Sequence, residues 1–287
     1  MKSIAIIGAT GQVGTDLVKL FNEKSWIVHE VNHSDIAIEN ISQSQDYFND
    51  KIFDVIVNTA AMHQVNKCET EIEKCWDINF YGASNVGSIA NRMNAKYVYF
   101  STDYVFSGNK GSAYTESDSV SPINAYGSSK AAGEISTLNL NSNNLVVRIS
   151  SVFGSAGSSG KGGNFVEAII KKAVSGEELK VVGDVTMTPS YTVDIANKLI
   201  DLIDNNQSGI FHLSNKGSTT WFEFAREICN QIDLEVDIKE TSTDFSLSPK
   251  RPINSSLNTD KIETLGIEQR EWKSALNSYL IEKGHLK

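Results

Sequence analysis

The sequence predicts an α/β fold, organised as a doubly wound parallel sheet with a smaller C-terminal lobe. Three observations carry this prediction. Apolar strand-like runs alternate with helix-length segments in the first half, a glycine-rich turn follows the first of these runs, and the alternation stops after about residue 150. A chain of 287 residues is long enough to bury a large core and to form a second lobe.

The first half of the chain carries the alternation from which the sheet is predicted. Its strands are short apolar runs, such as DVIVN and KYVYFS, separated by segments of helical length. We expect strands at residues 3–7, 26–31, 54–58, 96–101 and 145–149, helices at residues 10–22 and 126–138, and a mostly helical segment at residues 71–92.

The second half begins with a glycine- and serine-rich loop, SAGSSGKGG at residues 155–163, which is either a surface excursion or a lid. Amphipathic helices are predicted at 165–174 and 192–204, with a short strand at 209–213. Thr220 and Glu223 have the spacing of a capping box that opens a helix to about residue 232, and a last helix lies in the tail.

Charge and hydropathy exclude several classes of protein. A net charge of −9 leaves no basic stripe for nucleic acid, so no nucleic-acid partner is expected. No secretory signal precedes the first strand, and no run of about 18 apolar residues spans a membrane. We therefore expect a cytoplasmic protein without a membrane partner.

The cysteines and histidines predict neither a disulfide nor a metal site. On one shared helix, Cys68 and Cys75 would lie roughly 10 Å apart along the axis, too far for a disulfide. With Cys229 they form an odd set without CxxC spacing, and the five histidines show no ligand spacing. Three reduced thiols are the expectation.

The glycine turn, GATGQVG at residues 8–14, predicts a dinucleotide site of the Rossmann type. Gly8, Gly11 and Gly14 stand between a strand and a helix. Such a tight turn favours residues without a Cβ, and the N-terminus of the helix offers free N–H groups to a pyrophosphate. Thr10 and Gln12 are expected to add contacts near the phosphates. A turn that only packs helix on strand is the alternative.

The domain organisation follows from this assignment. Residues 1–150 are expected to form the dinucleotide-binding domain, with residues 190–215 returning to it. Residues 151–189 and 216–287 are expected to form a substrate-binding lobe.

The end of the second strand bears on the choice between NADPH and NADH. A carboxylate there favours a ribose hydroxyl, whereas a basic residue accommodates a phosphate. Glu30 can bond the ribose, while His33 and Ser34 can receive a phosphate, so both cofactors stay open.

Tyr126 and Lys130, in YGSSK, predict a proton donor with its tuning cation. Residues four apart lie on one face of a helix, so the phenol and the ammonium share one site. Reduction of a ketone needs a proton for the developing alkoxide, and a nearby ammonium lowers the pKa of a phenol. Thr102 ends a predicted strand, where open α/β sheets place their ligands.

Taken together, these segments resemble one family. GATGQVG at 8–14, NTAA at 58–61, STDYVFSG at 101–108, YGSSK at 126–130 and RPINSSLNT at 251–259 occur in its order. The chain resembles the dTDP-4-dehydrorhamnose reductases, a branch of the extended short-chain dehydrogenases, over essentially its whole length. The resemblance implies NADPH- or NADH-dependent reduction of the C4 keto group of a nucleotide-linked 4-keto-6-deoxyhexose, giving dTDP-L-rhamnose or a close relative. Association into a homodimer is left open.

The resemblance also implies roles for individual residues. Thr102 would bond the substrate carbonyl, Tyr126 would donate the proton, and Lys130 would hold the nicotinamide ribose. Asn79 would lie near the active site. The cofactor would be held by Gly8, Thr10, Gly11, Gln12, Val13, Ala60 and Ala61, and the substrate by Asp103, Val105, Asn164, Phe165, Arg251 and Ser255.

The sequence departs from this family in its substrate half. Ser151 stands where the family usually has a tryptophan that packs on the sugar, so an apolar platform is lost. Asn66 stands where aspartate is frequent, and Met187 where glycine is common. A related sugar with different ring stereochemistry or substituents is therefore an open alternative.

Two other functions remain as alternatives. One is a nucleotide-sugar epimerase or dehydratase, whose glycine turn usually reads TGGxGFIG and fits less well here. The other is a non-catalytic NADP-binding regulatory subunit, similar to that of methionine adenosyltransferase. Retention of Thr102, Tyr126 and Lys130 together favours an enzyme.

Overall fold

The first half of the chain folds as alternating strands and helices. The structure is a computed structural model that describes residues 1–157, 163–244, 246 and 249–286, so residues 158–162 of the predicted loop lie outside the described residues. The elements are β1 (Ser3–Ile7), α1 (Gln12–Glu23), β2 (Ile27–Val31), α2 (Ile41–Phe48), β3 (Val55–Asn58), α3 (Val65–Thr70), α4 (Ile72–Trp76), a π-helical segment (Asp77–Gly82), α5 (Ala83–Arg92), β4 (Lys96–Thr102), a 3₁₀ turn (Asp103–Val105), α6 (Ala125–Leu140) and β5 (Leu145–Ile149).

The second half has shorter strands. Thr220 caps its third helix, accepting a hydrogen bond from the Glu223 N–H at 3.2 Å, as the capping-box spacing predicted. The elements are β6 (Val152–Phe153), α7 (Phe165–Ser175), β7 (Leu179–Val182), β8 (Thr186–Met187), β9 (Ser190–Tyr191), α8 (Thr192–Asp204), β10 (Gly209–His212), β11 (Thr219–Thr220), α9 (Trp221–Gln231), β12 (Ile238–Thr241), α10 (Asp260–Glu263) and α11 (Trp272–Glu282).

One six-stranded parallel sheet organises the molecule, in the order β10-β5-β4-β3-β1-β2. This confirms the predicted fold class. The chain runs from β1 outward to β2 and then crosses to β3 on the other side of β1. The carboxyl ends of β1 and β3 therefore flank a topological switch point, where open α/β sheets form a crevice.

Apolar side chains cover both faces of the sheet and form a separate cluster in the second half of the chain. Leu17 of α1 and Leu199 of α8 pack on one face, and Val86 of α5 packs on the other. A separate cluster around Phe224 and Tyr279 joins α7, α9 and α11. Burial of each such side chain contributes roughly 1.5–3 kcal/mol, which is what holds these layers together.

The expectation that residues 71–92 are mostly helical is confirmed, because α4, the π-helical segment and α5 follow one another over residues 72–92. The backbone of Glu71, with φ −121° and ψ 55°, separates α3 from α4, and the π-helical segment separates α4 from α5. A Cβ on Gly82 would lie 2.7 Å from Cγ1 of Ile38, so this segment packs directly on the chain after β2. Neither α2 nor α3 was predicted. No described helix is long and apolar enough to cross a membrane.

Candidate active site

A cleft of about 780 Å³ opens at the carboxyl ends of β1 and β3. It extends from the glycine turn to the N-terminal half of α6, so a single elongated ligand can reach both. The predicted residues that line it are Gly8, Thr10, Gly11, Gln12, Val13, His33, Ala60, Ala61, Tyr126 and Lys130.

The glycine turn is shaped for close approach of a ligand backbone. Gly8 has φ +81°, and a Cβ there would lie 2.6 Å from Oγ1 of Thr59. A Cβ on Gly14 would lie 2.1 Å from the Gly8 carbonyl oxygen. Gly11 begins α1 without a side-chain cap, which leaves the first amides of the helix available to an anion. These features fit a bound pyrophosphate.

The side chains of the turn are engaged in holding it. Asn32, directly after β2, accepts hydrogen bonds from the backbone N–H and the hydroxyl of Thr10 at 3.1 and 3.0 Å. Gln12 donates its amide to the Val152 carbonyl at 3.1 Å, which links α1 to β6. Asn32 lines the cleft and was missed by sequence reasoning, although its place at the end of β2 marks it.

The residues predicted to select the cofactor divide into two groups. His33 lines the cleft, whereas Glu30 and Ser34 are exposed and are not among the described residues of its wall. Glu30 lies on β2, the edge strand of the sheet. The carboxylate that lines the cleft beyond β2 is that of Glu39, which was not predicted.

Tyr126 and Lys130 both face the cleft from α6. The helix begins with Asn124 as its cap, whose side chain accepts from the Gly127 N–H at 2.8 Å. Lys130 is buried, and its Nζ lies 4.0 Å from the ring centroid of Tyr99. Burial lowers the pKa of Lys130 to about 7, against the opposing charges of Glu134 and Cys75.

The pKa of Tyr126 differs from the sequence expectation. Burial raises the pKa of this phenol above its ordinary value, whereas an ammonium was expected to lower it. The largest opposing effect is the hydrogen bond with Thr102. The ring of Tyr104 lies against Tyr126 at a centroid distance of 6.0 Å and helps to enclose the phenol.

Asp103 and Val105 lie beneath the surface that they were expected to edge. Asp103 is 4% exposed. Its carboxylate accepts hydrogen bonds from three hydroxyl groups, those of Thr102 at 3.1 Å, Ser150 at 2.9 Å and Ser255 at 2.5 Å. Burial raises the pKa of Asp103 to about 6, and these hydrogen bonds oppose the rise. Val105 is fully buried in a small apolar cluster. Ser255 therefore bonds Asp103 in this structure.

Asn164 and Phe165 are also engaged within the protein. Asn164 caps α7 by accepting from the Glu167 N–H, and its amide donates to the Gly154 carbonyl and the Tyr279 hydroxyl, both at 2.9 Å. The ring of Phe165 lies 4.6 Å from that of Trp221. Both polar atoms of the Asn164 side chain therefore have hydrogen-bond partners within the protein.

Ser151 and Arg251 keep accessible side chains. Ser151 has φ +45°, so the backbone turns sharply just after β5. Arg251 is exposed and donates to Oδ1 of Asn66 at 3.1 Å, which brings the C-terminal segment against α3. Burial raises the pKa of the Tyr104 phenol, and the charge of Arg251 opposes that rise.

Asn79 and two cysteines brace the wall behind α6. The Asn79 side chain accepts from the Met62 N–H at 2.8 Å and donates to the Met62 carbonyl at 3.0 Å. Cys68 lies on α3 and Cys75 on α4, so the two do not share the single helix on which a separation of roughly 10 Å was expected. The Cys68 thiol donates to the Met62 carbonyl at 3.3 Å, and the Cys75 thiol lies 3.3 Å from the Ser129 hydroxyl. Both are free thiols, as is Cys229.

A buried ion pair behind Lys130 was also missed. Glu134 lies one turn further along α6. Its carboxylate accepts hydrogen bonds from the Arg148 guanidinium at 2.8 and 2.7 Å and from the Ser101 hydroxyl at 2.5 Å. Both charged side chains are at most 3% exposed. The signal available in the sequence was that Glu134 stands four residues after Lys130, a spacing that places both on one face of a helix.

The comparisons with known proteins agree over the whole chain. The family described as RmlD substrate binding domain matches residues 1–284. The spore coat polysaccharide biosynthesis protein SpsK of Bacillus subtilis is 35% identical, covering 99% of this chain and 98% of that protein. A dTDP-4-dehydrorhamnose reductase from Clostridium acetobutylicum superposes with a TM-score of 0.92 at 35% identity, covering 98% of this chain and 99% of that one. The dTDP-4-dehydrorhamnose reductase of Bacillus anthracis, in complex with NADP, superposes with a TM-score of 0.92 at 33% identity and the same coverage.

Proposed function

The chain belongs to the RmlD substrate binding domain family, and from this premise we propose that it is an NADPH- or NADH-dependent nucleotide-sugar reductase. The reaction is reduction of the C4 keto group of a dTDP-linked 4-keto-6-deoxyhexose, with dTDP-L-rhamnose or a close relative as the product. Related reductases carry this activity in their names, and the Bacillus anthracis protein binds NADP.

One observation supports the proposal above the others. The glycine turn, Tyr126 and Lys130 line the same cleft, although more than a hundred residues separate the turn from the pair. The glycine turn would hold the pyrophosphate of a dinucleotide, and Lys130 would hold its nicotinamide ribose. A reduced nicotinamide bound there supplies the hydride.

The chain's own side chains supply the rest of the chemistry. The Tyr126 phenol, raised in pKa by burial, holds its proton until an alkoxide develops on the substrate oxygen. Lys130 in its ammonium form stabilises the phenolate that remains. Exclusion of water by Tyr104 and Ile149 strengthens both interactions.

The substrate lies, in this proposal, on the side of Tyr126 that Arg251 and Ser151 face. Arg251 has a neutral partner in Asn66, so its charge is available to a diphosphate. Ser151 leaves room where a larger side chain would stand. We keep Arg251 as the proposed contact for the nucleotide part of the substrate.

The test is a panel of dTDP-4-keto-6-deoxyhexoses with NADPH and NADH, followed at the nicotinamide absorbance. We expect one reduced cofactor to be consumed for each keto-sugar reduced. Conversion of the sugar without net cofactor consumption would instead identify an epimerase or dehydratase. Cofactor binding without conversion of any sugar would identify a non-catalytic subunit.

A further inference from the structure

Lys130 is a buried cation that has no carboxylate as its partner. It is 2% exposed and lines the cleft, and in the described part of the chain no carboxylate forms an ion pair with it. The carboxylate of Glu134, one turn further along α6, is engaged by Arg148 and Ser101. Burial of an unpaired ammonium is costly, so a stabilising contact of another kind is expected.

The ring of Tyr99 supplies that contact. The Nζ of Lys130 lies 4.0 Å from the centroid of this ring. A cation within about 6 Å of a ring centroid is attracted by the negative face of the ring, and the attraction is stronger where water is excluded. Tyr99 lies on β4 and is fully buried. An ammonium has three N–H donors, and a contact with a ring face leaves donors that can reach into the cleft.

The position of the Tyr99 ring is fixed by its neighbours. Its hydroxyl donates to the Asn79 carbonyl, in the π-helical segment, at 2.9 Å. The Asn79 side chain is itself bonded to the backbone N–H and carbonyl of Met62. On the side of α6, a Cβ on Gly133 would lie 2.4 Å from the Tyr99 hydroxyl oxygen, so helix and strand are in close contact there. The ring therefore offers Lys130 a rigid surface.

The charges around Lys130 come from the elements that pack on α6. Burial is the largest influence on the pKa of Lys130 and lowers it to about 7, against the opposing charges of Glu134 and Cys75. A ring face adds an interaction that only the ammonium form makes. The titratable and charged groups around Lys130 and Tyr126 are Glu134 of α6, Cys68 of α3, Lys74 and Cys75 of α4, Tyr99 of β4, Asp103 of the 3₁₀ turn and Arg148 of β5.

Resting on the proposed reduction, we propose that Tyr99 is a positioning residue whose ring face holds the Lys130 ammonium, in its charged form, at the wall of the cleft beside Tyr126. Tyr99 is not among the described residues that line the cleft, so it acts through Lys130 and not on the substrate or the cofactor. The ammonium that it holds stabilises the phenolate that Tyr126 becomes when it gives up its proton.

Three variants separate the ring face from the hydroxyl and from the packing of β4. Tyr99→Phe keeps the ring and deletes the hydrogen bond to Asn79, whereas Tyr99→Leu deletes both. Tyr97→Leu is the matched control. Tyr97 lies two residues earlier on the same face of β4, is also fully buried, and donates its hydroxyl to a backbone carbonyl, that of Ala83, at 3.0 Å.

The pH profile of kcat is the readout. The rate should fall as pH rises through the pKa of Lys130, about 7, because only the ammonium stabilises the phenolate. In Tyr99→Leu this inflection should move down by about one pH unit, and above it kcat should be roughly tenfold lower. Tyr99→Phe and Tyr97→Leu should keep the inflection of the wild type. A merely structural role would lower the stability of all three variants and leave the inflection in place.

A fluorinated ring tests the same claim without removing a core side chain. A phenylalanine with fluorine on both meta carbons, placed at position 99, keeps the shape of Tyr99→Phe and withdraws charge from the ring face. Relative to Tyr99→Phe, its inflection should lie at lower pH, and above that inflection kcat should be roughly threefold lower. Identical profiles for these two proteins would overturn the proposal, as would an equal displacement of the inflection in Tyr97→Leu and Tyr99→Leu.

A measurement without substrate distinguishes failure of this inference from failure of the proposed function. In protein labelled with ¹³C at the lysine ε carbons, the resonance lost in Lys130→Met should titrate near the pKa of about 7. Its midpoint should fall in Tyr99→Leu and with the fluorinated ring. A wild type that shows these shifts and reduces no keto-sugar would refute the reductase alone. An active wild type whose Lys130 titration is the same in every ring variant would overturn the role of Tyr99.

Discussion

The wall of the cleft at β1 and α1 differs from the wall beyond β4 and β5 in what it presents to a ligand. At the glycine turn, backbone amides and the space left by Gly8 and Gly14 form the surface. Beyond β4, polar side chains predicted to bind substrate bond to other groups of the protein, as Asp103 does to Ser255. Asn164 likewise caps a helix.

The difference teaches what a motif encodes. A glycine turn works through its local backbone, so consecutive residues determine both its shape and its ligand. A substrate wall collects side chains from distant segments, and each polar group can face either the ligand or a neighbour. The predictions that follow test this contrast, from the largest expected effect to the smallest.

Tyr126→Phe should remove most turnover and leave cofactor binding intact. Deleting the proton donor should lower kcat by about 10³, because proton transfer to the alkoxide then depends on water. Steady-state kinetics measures kcat, and a cofactor titration measures the affinity for the cofactor. Tyr104→Phe is the matched control, because it deletes the hydroxyl of the neighbouring tyrosine. Similar losses of kcat in both variants would contradict the assignment of Tyr126 as the proton donor.

Lys130→Met should separate activity from stability. The rate should fall by about 10², because the phenolate loses its cation. The pKa of Lys130 is about 7 in the folded protein and about 10 in an unfolded chain. Between these two pH values the unfolded state binds more protons than the folded state, so the stability of the wild type rises with pH. Lys130→Met should lack this rise and be more stable by about 1–4 kcal/mol at neutral pH. Chemical unfolding at several pH values measures both the pH dependence of stability and the difference in stability between the two proteins. A variant less stable than the wild type would contradict the claim that burying the Lys130 ammonium is costly.

Gly14→Ala should weaken the cofactor wall. A Cβ at this position would lie 2.1 Å from the Gly8 carbonyl oxygen, so the turn must shift. We expect a loss of about tenfold in NADPH affinity, equivalent to roughly 1.4 kcal/mol. Gly176→Ala, with φ +71° and open space around a new Cβ, is the control; it should cost about 1 kcal/mol of stability and leave NADPH affinity unchanged.

Asn164→Ala should have the smallest effect on catalysis and a clear effect on folding. Loss of the cap and of the two bonds from its amide should destabilise the protein by about 1–3 kcal/mol. KM for the sugar should stay within about twofold, because both polar atoms of the Asn164 side chain already bond within the protein. A large rise in KM with unchanged stability would restore its predicted binding role.

Much of the sheet was predictable because buried parallel strands are short and almost wholly apolar. SIAII, VIVN and LVVRI were found within a residue or two of their bounds, and Thr220 marked the start of α9 correctly. The Tyr126–Lys130 spacing also placed both residues on the same wall.

The remainder depended on contacts that no local pattern contains. The break at Glu71 is a single residue, with φ −121° and ψ 55°, and it places Cys68 and Cys75 on separate helices. The burial of Asp103 depends on Ser255, 152 positions later in the chain. Whether Glu30 or Glu39 reaches the cleft depends on how the chain leaves β2 at the sheet edge.

The most direct test of the central claim is a crystal structure of the protein with NADP and a keto-sugar or its product. We predict the pyrophosphate at the N-terminus of α1 and the nicotinamide between Tyr126 and the glycine turn, with the sugar oxygen within hydrogen-bonding distance of the Tyr126 phenol. A nicotinamide bound away from Tyr126 and Lys130 would contradict the account.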